Sequence, residues 1–247
     1  MKNIDTTQLG QRSASGVNMM AGYFSSFTHT KAFELLNEKS KQKKGTSILD
    51  VGAGHGAFSN RLIEAGYEGV EAIEAFAAFD VKDVTLHRLN LNEDWDLPLD
   101  KFDFVVAIEI MEHIENPFHF LRQIRKTLKK DGFAIVTTPN TIDFISRLRF
   151  LFRGELSMMT HPDHRSPIFP DTLRKMCEEV GFEIKETTFD IDLLDVPSTT
   201  IKGKIVKPFL RFLRRTIIRD CERSRGNSAV WVLSRTSQSI HVPDMQI

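Results

Sequence analysis

From Ser47 onward, short apolar runs alternate with stretches in which apolar residues recur at helical spacing. The runs at Ser47–Asp50, Val70–Glu74, Val84–His87, Phe102–Ile108 and Phe133–Thr138 have the length and composition of strands, and Phe102–Ile108 reads as a strand covered on both faces. Between them, Phe58, Leu62 and Ile63 mark one helix, with Gly66 placed as its C-terminal punctuation. Phe118, Leu121, Ile124 and Leu128 mark a second helix after Pro117, and Lys129, Lys130 and Gly132 are expected to end it. Strand–helix alternation of this kind predicts an α/β fold built on a doubly wound, mostly parallel sheet with helices on both faces.

Outside that regular region the pattern changes. Residues 1–17 are polar and aperiodic. Met19–Phe27 is apolar and aromatic, and is read either as an arm over the central pocket or as packing on the outside of the core. His29–Lys41 reads as a helix with Ala32, Phe33, Leu35 and Leu36 inward. After Asn140 come a long connection (141–170), a helix capped by Asp171 and running to Val180, a strand at Glu183–Thr188, a second insert (190–226) and a last strand at Ala229–Leu233. The expected division is an N-terminal arm and helix (1–45), one catalytic domain (46–236) with the inserts as a lid, and a flexible tail (237–247). In Lys202–Arg219, Pro208 is expected in the first turn of a helix carrying Phe209, Phe212, Leu213 and Ile217 on one face and Lys207, Arg211, Arg215 and Arg219 on another. Such a helix is a membrane-surface element, a packed helix with solvated arginines, or a phosphate-binding element for an acidic lipid-linked substrate or RNA.

Composition narrows the classes. The 33 basic and 33 acidic residues cancel, so no global field points to nucleic acid. Cys177 and Cys221 have neither metal-site nor redox-motif spacing. No apolar run approaches the roughly 20 residues of a spanning helix, and no signal-peptide core opens the chain. The expectation is a cytoplasmic protein, with peripheral membrane contact through 202–219 open.

The candidate chemistry begins where the first strand ends. Gly52, Gly54 and Gly56 follow Asp50 and precede a helix, a tight turn that lets a ligand approach the backbone. Glu74 ends the second strand about 20 residues later, where an acid can accept the hydroxyls of a ribose. Dinucleotide-binding folds share both features. Past the fourth strand, Glu109, Glu112 and His113 form E-x-x-E-H at the carboxyl end of the sheet, where ligands sit. Either His113 is a general base with a neighbouring carboxylate, or the three side chains hold a divalent metal.

ILDVGAGHG, VEAIE, FDFVVAIEIMEHIENP and LKKDGFAIVTTPN agree in order and spacing with the class I S-adenosylmethionine-dependent methyltransferases, which this chain resembles over Ser47–Asn140. The resemblance implies a Rossmann-like sheet and S-adenosylmethionine held by Asp50, Gly52, Ala53, Gly54, Glu74, Asn90, Leu91 and Ile108. Asn90 stands where many members place an acid. E-x-x-E-H resembles the ubiquinone-biosynthesis O-methyltransferases and the small-RNA 3′-end 2′-O-methyltransferases. That implies a magnesium or zinc ion on Glu109, Glu112 and His113, completed by His164 or His161, with His113 and Glu112 catalytic. The implied acceptor is a hydroxyl of a small or lipid-linked molecule. N-, C- or glycan-directed methylation, and a methyltransferase-like binding protein without turnover, remain alternatives. The scarcity of Tyr and Trp, two each, argues against RNA.

Overall fold

A computed structural model describes residues 19–40, 42–192, 194–197, 201–217 and 225–236, without the side chains of 19–26, 201, 202 and 217. The readings made for 1–17, Cys221, Arg219 and 237–247 lie outside these residues. Seven strands form one sheet: β1 (Ser47–Val51), β2 (Gly69–Ile73), β3 (Thr85–His87), β4 (Phe102–Ala107), β5 (Leu128–Pro139), β6 (Phe182–Phe189) and β7 (Ser228–Arg235). Their order is β3-β2-β1-β4-β5-β7-β6. The first five run parallel, and β7 lies antiparallel between β5 and β6. This is the doubly wound sheet that the alternating pattern predicts.

Among the described residues, six helices flank it: α1 (Met19–Lys39), α2 (Ala57–Glu64), α3 (Pro117–Thr127), α4 (Phe144–Arg153), α5 (Pro170–Val180) and α6 (Ile201–Ile217). Each face of the sheet has its own core. On one, Leu49, Val105 and Ala134 of the strands meet Leu121 and Ile124 of α3 and Leu173 and Val180 of α5. On the other, Ile48, Phe104 and Val106 meet Leu35 and Leu36 of α1 and Phe58 and Leu62 of α2. Alternate strand residues point to opposite faces, so one apolar run supplies both cores.

Four local expectations are corrected. α1 starts at Met19, so Met19–Phe27 is helical and continuous with the expected helix. α3 ends at Thr127: Leu128 is extended (φ −75°, ψ 135°) and opens β5, opposite Phe102. Gly132 therefore lies in a strand, where a Cβ would sit 2.8 Å from the Asp103 carbonyl oxygen; close backbone approach explains it, not helix capping. Asp171 is in the first turn of α5, whose N-cap position is Phe169 with Pro170 beginning the helix. Pro208 lies inside α6, one turn and more past its start.

Candidate functional site

The glycine turn is built on β1 and fastened to β2. Gly52 and Ala53 both donate N–H to the Ile73 carbonyl (2.9 and 3.0 Å). Gly52, Gly54 and Gly56 have φ of 72°, 56° and 86°, a region that favours glycine. A Cβ on Gly52 would lie 2.6 Å from the Ile110 side chain, whereas one on Gly54 would meet nothing within 4 Å. Glu74 holds the turn from the other side. One carboxylate oxygen accepts from Gly54 N–H (2.9 Å), the other from Phe76 and Ala77 N–H (2.8 and 2.9 Å). Those N–H groups and nearby Arg88 keep Glu74 ionised, bringing its carboxyl below the ordinary value against the opposing effect of burial.

A cavity of about 700 Å³ opens beside this turn, lined by Gly52, Glu74, Phe76, Asn90, Leu91, Ile110, His113 and His164 among others. Asp50 does not line it. It is 2% exposed and accepts a hydrogen bond from Ser59 Oγ (2.6 Å), and burial pushes its carboxyl up to about 6. Asn90 Oδ1 accepts from Asn92 N–H (3.1 Å), leaving one lone pair for a ligand. Ala53 and Gly54 form the backbone of the turn, and Ile108 lies at a second cavity.

That second cavity, about 460 Å³, is lined by Ile108, Glu109, Glu112, Asn140, Met158 and His161 among others, and shares His113 and His164 with the first. The two histidines therefore stand between the cavities. The chain turns sharply at the end of β4: Glu109 has φ +50°, sparsely populated for a residue with a Cβ and often a mark of a functional site. Thr137 on β5 holds it there, accepting from Glu109 N–H and donating its hydroxyl to the Glu109 carboxylate, both at 2.9 Å. Burial pushes Glu109 up to about 7, helped by the negative charge of Asp190.

Glu112 and His113 sit on a short 3-10 turn, Met111–His113. Glu112 is fully buried, and neither carboxylate oxygen has a hydrogen-bond partner among the described residues. Burial, reinforced by Glu109, pushes its carboxyl well above the ordinary value. Its main-chain carbonyl accepts N–H from Arg165 (2.8 Å) and Ser166 (3.2 Å), which docks the connection carrying His161 and His164 against β4. His113 Nδ1 lies 3.0 Å from the Asp163 carbonyl, which can only accept, so the proton is on Nδ1 and Nε2 keeps its lone pair. Nε2 is 3.9 Å from Glu112 Oε1. The His164 ring stands 4.7 Å from that of His113, nearly perpendicular, and its buried Nδ1 has no hydrogen-bond partner among the described residues. Burial pushes His164 down to about 4, aided by repulsion from His113. One ligand atom from each of Glu112, His113 and His164 falls within 4.8 Å of the others.

Of the four residues expected to hold a metal, then, three converge. Glu109 stands aside, hydrogen-bonded to Thr137. His161 stacks on His164 with ring centres 4.6 Å apart and is not in the converging set. Thr137, Phe76 and the Asp163 carbonyl were missed by the sequence reading. Thr137 belongs to the TTPN segment that ends β5, and Phe76 follows Glu74, but neither has a periodic signal to set it apart.

A family model described as a methyltransferase domain matches residues 24–187. The chain is 24% identical over 168 residues to a ubiquinone biosynthesis O-methyltransferase of Glaesserella parasuis, covering 61% of this chain and 71% of that protein. It spans 62% to 66% of several other relatives of that description, less than two thirds of their length. Among solved structures it resembles a chain of the complex of the Haloferax volcanii Trm112 methyltransferase activator with its methyltransferase, with TM-score 0.64, 16% identity, and 90% of this chain and 94% of that one covered. A SAM-dependent methyltransferase of Archaeoglobus fulgidus gives 0.58 at 17% identity, with coverage of 88% and 100%. The chain belongs to the class I S-adenosylmethionine-dependent methyltransferases, and S-adenosylmethionine is the cofactor that this family implies.

Proposed function

We propose that this methyltransferase transfers the methyl group to a hydroxyl oxygen of a small or lipid-linked acceptor, assisted by a divalent cation. The observation that carries the reading is the buried Glu112 carboxylate, unpartnered on both oxygens and facing His113 and His164. Burial alone favours the protonated form of this carboxyl, and a cation bound beside it would hold it ionised. The residues fit one: Glu112, His113 and His164 would hold it, and two imidazoles with one carboxylate suit zinc or a similar transition ion better than magnesium. Such an ion would lower the pKa of the acceptor hydroxyl.

The larger cavity is taken as the donor side. Its floor is the glycine turn, and Glu74 and Asn90 stand where a ribose and an adenine would be met. The smaller cavity, beyond His113 and His164, is then the acceptor side. In transfer, the acceptor oxygen gives up its proton, to water where a cation lowers its pKa or to His113 Nε2 where no ion is bound, and forms the new C–O bond as the C–S bond of the sulfonium breaks, leaving a neutral thioether. The protein's share is to align the two cavities and exclude water. Similarity to enzymes described as ubiquinone biosynthesis O-methyltransferases supports an oxygen acceptor.

The Asp163 carbonyl favours a second reading for His113. By fixing the proton on Nδ1 it leaves Nε2 able to receive the acceptor's proton when no ion is bound. Dialysis against a chelator, with elemental analysis of the untreated protein, separates the two. Cation assistance predicts a stoichiometric metal and lost turnover that returns on adding zinc. Full activity in metal-free protein overturns it and leaves His113 as the base. Calorimetric titration with S-adenosylmethionine tests the donor side independently.

A further inference from the structure

α6 is amphipathic with its faces reversed from the usual arrangement. Three of its cations point inward: Lys207 Nζ donates to the Val196 carbonyl (2.7 Å), Arg211 Nε to that of Leu194 (2.9 Å), and Arg214 pairs with Asp192 while only 3% exposed. Its apolar residues Ile205, Phe209 and Phe212 point outward, one or two turns apart. At the end of α4, Phe150, Leu151 and Phe152 do the same, and all six are between 56% and 79% exposed. Apolar side chains turned to water in a group on each helix mark an interaction surface. The two helices flank one segment, since Asp192 and Leu194 share a small cleft with Asp143, Phe144 and Ile145.

Charge says what covers the stripe. Neither helix contains an acid, and because the 33 basic and 33 acidic residues of the whole chain cancel, the remainder carries the compensating negative excess. α4 carries three arginines and α6 six lysines and arginines. A second copy joined by a two-fold axis would set these cations against themselves. An anionic bilayer answers both demands: phenylalanines enter the acyl boundary, while outward cations such as Arg153, Lys204 and Arg215 meet headgroup phosphates.

We infer that the outer faces of α4 and α6 dock this enzyme on an anionic membrane surface, so that the acceptor reaches the second cavity from the bilayer. This rests on the acceptor-side assignment above. Both helices are fastened to that cavity. Asp143 and Ser146 at the start of α4 line it. Asp190, two residues before the partner of Arg214, accepts from Thr28 Oγ1 (2.9 Å) and from the N–H groups of Asn227 and Ser228 (both 2.7 Å), which line it too. The acceptor class is therefore a lipid or a head group on an apolar chain.

The test is sedimentation of the full chain with vesicles of phosphatidylcholine alone and with added phosphatidylglycerol. The protein is expected to pellet with the anionic vesicles and to be released by high salt. Phe209→Ser with Phe212→Ser is expected to weaken partitioning at least about tenfold, with the melting temperature and the S-adenosylmethionine titration unchanged. Three outcomes overturn the proposal: no pelleting with either vesicle, equal partitioning by the double variant, or a dimer in light scattering that the double variant abolishes. Failure of the methyltransferase reading would appear separately, as absence of cofactor binding by the unaltered chain.

Discussion

At the scale of single residues, Gly52 is the most constrained position of the donor side. Its positive φ and the Ile110 side chain 2.6 Å from where a Cβ would stand leave no room for a larger residue. Gly52→Val is expected to abolish detectable S-adenosylmethionine binding by calorimetry while the chain still folds by circular dichroism. His113→Ala is expected to leave that binding intact and lower turnover about a hundredfold or more; normal turnover would remove His113 from the reaction. Asp50 makes a prediction about stability. Burial raises its carboxyl from the ordinary 3.8 to about 6, so the folded chain holds this proton more tightly than the unfolded one. The contribution is fully present below about pH 4 and lost as pH rises through about 6, a change of about 3 kcal/mol. Asp50→Asn should flatten the dependence of melting temperature on pH across that window. Cys177 offers no rival chemistry, because burial pushes its thiol up to about 12, far from a reactive thiolate.

At the scale of elements, Asn140 joins the exit of β5 to the entry of β7. Its amide donates to the carbonyls of Arg225 (2.9 Å) and Gly226 (3.1 Å), and its Oδ1 accepts from Ile142 N–H (3.2 Å). Asn140→Ala strands these buried groups and is expected to cost about 2–3 kcal/mol, read as a lower urea midpoint with an unchanged slope. Much of this architecture was legible in the chain. Glycines at alternate positions after a buried strand leave little but a turn, and an apolar run as pure as Phe104–Ala107 has to lie inside a sheet. Leu128 misled because it continues a helical period yet pairs with Phe102. Apolar spacing cannot say which of two elements claims a residue at their junction. The direction of α6 was hidden for a related reason: its sequence has an apolar and a basic face, but only Asp192 and the carbonyls of Leu194 and Val196 decide which one turns inward. The metal-type cluster was half legible. Glu112 and His113 adjoin in sequence, and the resemblance names His164 beside His161; what spacing could not decide between them is decided by the main-chain bonds of Arg165 and Ser166 to Glu112, which place His164 in the converging set.

At the scale of the whole molecule, the sheet carries a separate core on each face, and α1 serves both packing and site. It buries Leu35 and Leu36 and brings Thr28 and His29 to the second cavity. Leu36→Ala is expected to cost about 2–5 kcal/mol in chemical denaturation and to reduce turnover more than cofactor affinity, since the described side chains of α1 line the smaller cavity through Thr28 and His29. The order β5-β7-β6 has a consequence for how the chain is made. Synthesis delivers β6 while its neighbour in the finished sheet, β7, has yet to be translated, and α6 comes first. Until then β5 and β6 each present an open edge on a nascent chain at the ribosome. β6 bears Glu183, Lys185 and Glu186 along this exposed interval, charges that discourage pairing with a neighbouring chain. A ribosome paused short of Arg225 would hold all the residues that line the larger cavity, while the smaller still lacked Asn227 and Ser228. The order of translation thus completes the larger cavity before the smaller, which on the proposed reading is the donor side before the acceptor side.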